Sequence, residues 1–149
     1  MVDDLVHFLK TLNDLIKSGI DYSYINISSD QRVKDLVKTK GKVGIYIFMD
    51  SKNTIVYIGK GGTSRKSSGK DLRFRIMQEL STGHNYSTLS KNIIENDTVS
   101  ESESKSIIDN LQLNAIIIGD KSTNCRNDIL KTEALESFLI LIYDPKNNK

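Results

Sequence analysis

One proline, one cysteine, two histidines and no tryptophan among 149 residues remove several classes of protein before any pattern is read. A lone Cys125 cannot form an internal disulfide and suits a reducing compartment. With His7 and His84 the only imidazoles, almost no donor set remains for a zinc site. No apolar run approaches the roughly 20 residues of a membrane span, and the acidic start MVDDLVHFLK lacks the apolar centre of a secretory signal. The length suits one domain, long enough to bury a core without disulfides or a structural metal. The expectation is a cytoplasmic protein with no membrane partner.

Net charge is only +2, yet the charges are segregated. Lys60, Arg65, Lys66, Lys70, Arg73 and Arg75 face a single acid, Asp71, across the stretch 60–75. From Glu95 to Asn110 the sign reverses, with Glu95, Asp97, Glu101, Glu103 and Asp109 against Lys105. A basic segment this dense is a candidate phosphate-contacting surface, or a solvated loop and helix face.

Hydrophobic periodicity divides the chain at about residue 40. Over 2–18, Leu5, Phe8, Leu9, Leu12, Leu15 and Ile16 fall at helical spacing, and Gly19 follows as a stop. IDYSYINI (20–27) reads as a short strand or an extended connector. A second helix spans about 29–38, with Ser28 and Gln31 at capping-box spacing. These elements form an N-terminal helical extension, 1–40. The core module, 41–149, opens with strands at about 43–49 and 54–59 joined through DSKN. Helices follow at about 71–80 and 87–95, then one opened by Ser100 with Glu103 that runs to about 111. LNAIIIGD is a third, buried strand, and Asn127 caps a last helix that Pro145 ends. The predicted class is α+β: a small three-stranded, mostly antiparallel sheet flanked by helices.

The hairpin carries the sharpest signal. Its strands contain Gly44-Ile45-Tyr46 and Tyr57-Ile58-Gly59, and alternate side chains of a strand share a face. Two aromatics in a hairpin are ordinarily a packing pair. Downstream, 72–76 read LRFRI, and ALESFLILIYDPKNN places Glu136 nine residues before Pro145 and Asn148 three after it. Together these motifs resemble the GIY-YIG endonucleases over about residues 41–149.

That resemblance implies a Mg²⁺-dependent enzyme, with Mn²⁺ able to substitute, that hydrolyses phosphodiester bonds of duplex DNA. It places Tyr46, Tyr57, Lys60, Arg75, Glu136 and Asn148 at the site. One phenol is the base, Tyr57 with Tyr46 orienting it or the water, or the reverse. The phenol pKa, near 10 when free, is to be lowered by Lys60, Arg75 and the metal. Arg75 stabilises charge on the phosphate, and Glu136 holds the metal, with Glu133 one turn earlier as its rival. Lys60, Arg65, Lys66, Lys70 and Arg73 are the expected DNA contacts. The long basic loop favours restriction-type or mobile-element members, cutting both strands as a homodimer or by two successive nicks. A structure-selective repair nuclease and a non-catalytic DNA-binding protein are the alternatives. The family often has histidine or tyrosine one helical turn after the arginine. Here that position is Glu79, and His84 lies five residues beyond as a substitute or an exposed residue.

Overall fold

The computed structural model describes residues 7, 10, 11, 13, 14, 22–64, 70–81, 87–123 and 125–148. Within the predicted helix 2–18, His7, Lys10, Thr11, Asn13 and Asp14 are helical; the rest of that helix, with Arg65, Lys66 and His84, lies outside the described residues.

The segment left open as strand or connector is a strand, β1 (Ser23–Ile27). After a 3-10 turn at Ser29–Gln31 come a short helix, α1 (Arg32–Leu36), and the hairpin strands β2 (Lys42–Met49) and β3 (Ile55–Gly61). Three helices follow: α2 (Leu72–Leu80), α3 (Thr88–Asp97) and α4 (Glu101–Asp109). Strand β4 (Gln112–Asp120) and a long helix, α5 (Arg126–Tyr143), complete the chain. The sheet has four strands in the order β1-β4-β2-β3, every pairing antiparallel. The three-strand expectation is thus corrected. Tyr22, Tyr24 and Ile25 give the connector apolar surface to pack, and β4 offers it a free edge from Ser23↔Ile117 to Ile27↔Leu113. The sheet therefore takes a strand from the predicted extension.

Central strands buried on both faces need uninterrupted apolar runs, and VGIYIFM and LNAIII supply them. On one face Tyr46, Phe48, Tyr57, Leu113 and Ala115 pack against Leu72 and Ile76 of α2, Leu89 and Ile93 of α3, and Ile108 of α4. On the other, Ile45, Ile47, Ile58 and Ile116 pack against Leu135 and Leu139 of α5.

Local signals explain most element ends. Asp50 closes the hairpin turn by accepting from the backbone N–H groups of Lys52 and Thr54 at 2.9 and 3.0 Å, with Asn53 at φ 60°. Asp71 caps α2 by accepting from Phe74 N at 2.7 Å, and its other oxygen accepts from Gly41 N at 2.7 Å. Ser100 and Glu103 form the full capping box on α4. Two cap expectations fail. Ser28 makes no side-chain cap bond, and α5 starts at Arg126 after Cys125, so Asn127 lies inside the first turn.

Hairpin register decides where the two phenols go. Near the turn Met49 pairs with Ile55, but Phe48 pairs with Tyr57, so Val56 is an extra residue, a β-bulge. Without it Tyr57 would sit opposite Ile47 and face α5. Because a one-residue shift reverses every side chain, the bulge is what puts Tyr57 on the same face as Tyr46.

Candidate active site

Strand β3 is an edge of the sheet, and the chemistry-bearing residues gather around it from both faces. On the α2 side the Tyr46 and Tyr57 rings lie 6.2 Å apart, tilted 36°. Tyr46 stands opposite Gly59, and its phenol ring lies directly over that glycine. The absence of a side chain at 59 lets a ring rooted in β2 reach across to the β3 edge. Gly61 serves a related purpose: a Cβ there would meet Leu72 Cα at 2.7 Å, so glycine lets α2 start close against β3.

Below the phenols, α2 presents Glu79, only 3% exposed. Leu72, Ile76 and Glu79 occupy the core-facing positions of one helical stripe, so a carboxyl stands where an apolar side chain is the rule. Oε1 is satisfied by the start of α3: Thr88 N donates at 3.0 Å, Leu89 N at 3.4 Å and the Ser87 hydroxyl at 3.4 Å. Oε2 is sealed from solvent with no hydrogen-bond partner. Tyr57 and Tyr46 are the ionisable groups that act on this carboxyl. Burial raises its pKa above the ordinary carboxyl range, and the α3 N–H groups and the phenols pull it partway back.

On the opposite face, Lys60 projects toward α5. Its ammonium lies 3.5 Å from Glu133 and 3.5 Å from Glu136. Burial raises Glu136, Lys60 opposes that shift and Glu133 adds to it. Glu136 also acts on both phenols, so the two clusters share one electrostatic neighbourhood around the edge strand. Arg75 is exposed, donates to Gln78 Oε1 at 3.3 Å and favours the ionised form of Tyr46.

The expected lowering of a phenol pKa is not present. Tyr46 is pushed well up by burial first, then by Glu79 and Tyr57; Arg75 pulls the other way. Tyr57 is raised by burial and by Glu79, with Glu136 adding to the effect. Lys60 is committed to the α5 carboxylates, and the largest charge effect on each phenol comes from Glu79.

Asn148 spans the free side of β3 like a substitute strand. Its Oδ1 accepts from Ile58 N and its Nδ2 donates to Ile58 O, both at 2.8 Å. Lys70 sits 5.2 Å above the Phe74 ring, and Arg73 Nε is buried without a partner. No group of three or more His, Cys, Asp or Glu is placed to hold a metal ion among the described residues. The oxygen donors that come together are Glu133 and Glu136. No helix among those residues is long and apolar enough to cross a membrane.

Two carboxyls with raised pKa values, Glu79 buried and Glu136 partly buried, set the sign of an acid response. Between the ordinary carboxyl value and the raised ones, the folded chain binds more protons than the unfolded chain. Stability therefore falls as pH climbs through that window. Thermal melts are expected to show a higher Tm at mildly acidic pH than at neutral pH, with the difference reduced in a Glu79→Gln variant and largely lost when Glu136→Gln is added. A Tm that drops steadily with acidification would contradict this.

Comparison with family models, with curated proteins and with solved structures finds no match to this chain.

Proposed function

We propose that this chain is a divalent-metal-dependent DNA endonuclease of the GIY-YIG type. The reading rests on one observation: two adjacent phenols and the Arg75 guanidinium on one face, and the Lys60–Glu133–Glu136 cluster on the other, gather around one edge strand of the sheet. Phosphodiester hydrolysis needs those parts: a base for water, positive charge at phosphorus, and an anchor for a cation.

The residues fit Mg²⁺ in donor type. Mg²⁺ keeps several waters and takes one or two carboxylates plus substrate oxygens, and Glu136 with Glu133 offers two carboxylates that share Lys60 as a partner. Bound there, the ion would supply Lewis acidity to a phosphate oxygen. The chain's own groups do the rest. Tyr57 is the proton acceptor for water, and Tyr46, wedged over Gly59, orients it. Arg75, exposed on α2, meets the nonbridging oxygens. Lys70 and Arg73 extend the basic surface along the DNA backbone. Asn148 holds the β3 edge straight through Ile58.

The test is incubation of supercoiled plasmid with Mg²⁺, Mn²⁺ or EDTA. Nicked or linear product is expected with either metal and none with EDTA. Arg75→Ala should lower the rate by about 10²–10³-fold, the usual cost of removing one charge-stabilising donor. Retained cleavage in that variant would shift the role to Arg73.

The raised phenols and the lysine-paired carboxylates favour a second reading, a DNA-binding protein without catalysis. Mobility shift of DNA with no nicking under either metal would select it.

A further inference from the structure

Glu79 remains unexplained by that mechanism. A buried, ionisable carboxyl costs several kcal/mol unless its oxygens are paired. In Glu79 one oxygen takes up to three donors from the α3 start while the other has none, in a residue 3% exposed. A leucine there would complete the stripe begun by Leu72 and Ile76, but would take the acceptor from the Thr88 and Leu89 N–H groups; that capping role accounts for Oε1 and leaves Oε2 without one. The groups facing the carboxyl are Tyr46 from β2, Tyr57 from β3 and Ser87 from the α3 start; Arg75 acts on Tyr46, and Glu136 on both phenols. Lys105 of α4 is occupied, donating to the Leu80 carbonyl at 3.1 Å and to Asp109. Among the described residues no cation is bonded to the carboxyl, and the phenols are the ionisable proton donors that act on it.

We propose that Glu79 is a positioning residue that receives the Tyr57 proton through its free Oε2, so that Tyr57 acts as a relay. The inference rests on the nuclease reading. In the step, the water oxygen bonds to phosphorus as a water proton moves to Tyr57 Oη and the original phenol proton moves to Glu79 Oε2. The bond from phosphorus to the leaving oxygen breaks, that oxygen keeps the electron pair, and it takes a proton from solvent. Reversal of the relay afterwards returns the Glu79 proton to solvent through Tyr57. The α3 N–H groups hold Oε1 fixed, which leaves Oε2 as the acceptor. A free phenolate never has to persist, which removes the difficulty posed by two phenols beside negative charge.

The experiment compares the full chain with Glu79→Gln and Tyr57→Phe, singly and together, on supercoiled plasmid with Mg²⁺ across a pH series. Ultraviolet difference titration of the phenols and thermal melts accompany it. Glu79→Gln is expected to lower kcat by about 10²–10⁴-fold, the range of a lost proton-transfer group, with KM for plasmid little changed. The rate of the native chain should rise with pH as Glu79 ionises, and that rise should vanish in the Gln variant. The double variant should be no slower than the slower single one, because the two groups act as a unit. With the glutamate charge gone, Tyr57 should titrate at lower pH, a readout that needs no activity. A cutting native chain with an unaltered Gln variant overturns this inference alone. A slower Gln variant with an unchanged pH profile and phenol titration marks a packing role, and overturns it too. A native chain that never cuts overturns the nuclease reading and takes this inference with it.

Discussion

Glutamine in place of Glu136 is expected to reduce plasmid cleavage by 10³-fold or more, an order of magnitude set by what a metal-held phosphate oxygen contributes, while leaving the fold intact. The argument is local. Glu136 opens the run ESFLILIY, whose remaining residues are apolar or small apart from the terminal tyrosine, with Glu133 one turn before it, and burial raises its pKa. The amide has the same shape and no charge, so folding no longer has to desolvate a carboxylate at this position. Lys60 keeps Glu133 as a partner. The melting temperature should therefore not fall, and mobility shift of DNA should persist, since Lys70, Arg73 and Arg75 are untouched. What disappears is the partly buried anionic oxygen beside the hairpin edge. Glu133 is nearly half exposed and would hold a cation poorly alone. The same assay on Glu133→Gln gives the ranking: a modest loss there and a near-complete loss at 136. Cleavage by Glu136→Gln within tenfold of the native rate would remove that residue from the site. The opposite ranking would make Glu133 the principal donor.

How much of this was legible beforehand depends on the range of the signal. Turn and cap chemistry is local, so DSKN, the Ser100–Glu103 box and the stop before Pro145 could be read from the residues alone. The apolar runs of β2 and β4 fixed two central strands. The edge strand β1 carries no such mark: with its SYINI pattern, it owes its conformation to pairing with β4, and pairing is a tertiary property. The bulge at Val56 was equally silent. A regular hairpin would have turned Tyr57 toward α5, and only register distinguishes the two. Glu79 left a trace that a propensity reading passes over, a charged residue on the buried stripe of α2. Lys60 could be seen as a cation near the phenols, but strand alternation puts it on the other face, against α5. Burial of both rings is the main reason that neither phenol pKa is lowered, and Lys60 is turned away from them.

Alanine at position 59 is expected to do more damage than its single methyl suggests. The glycine does not have a positive φ, so the substitution carries no backbone strain and by propensity alone should help a strand slightly. The obstacle is one ring. A Cβ at 59 would run into Cζ, Oη and Cε2 of Tyr46, which covers the glycine from the neighbouring strand. Tyr46 cannot yield easily, since Phe48 stands edge-on to it at 6.1 Å and Tyr57 flanks it at 6.2 Å. Overpacking of this kind costs about 1–3 kcal/mol, a drop of several degrees in Tm for a chain of this size. Cleavage should fall with it, since the displaced phenol no longer sits over the β3 edge. Stability and activity can be separated by moving the ring rather than the glycine. In a Tyr46→Ala background the collision partner is gone, so adding Gly59→Ala should leave Tm unchanged or raise it. The same substitution in the native background should lower it. That change of sign, read from four thermal melts, isolates the contact between position 59 and the ring. If alanine lowers Tm equally in both backgrounds, the glycine is required by the strand itself, and the close approach of Tyr46 is not what positions the phenol.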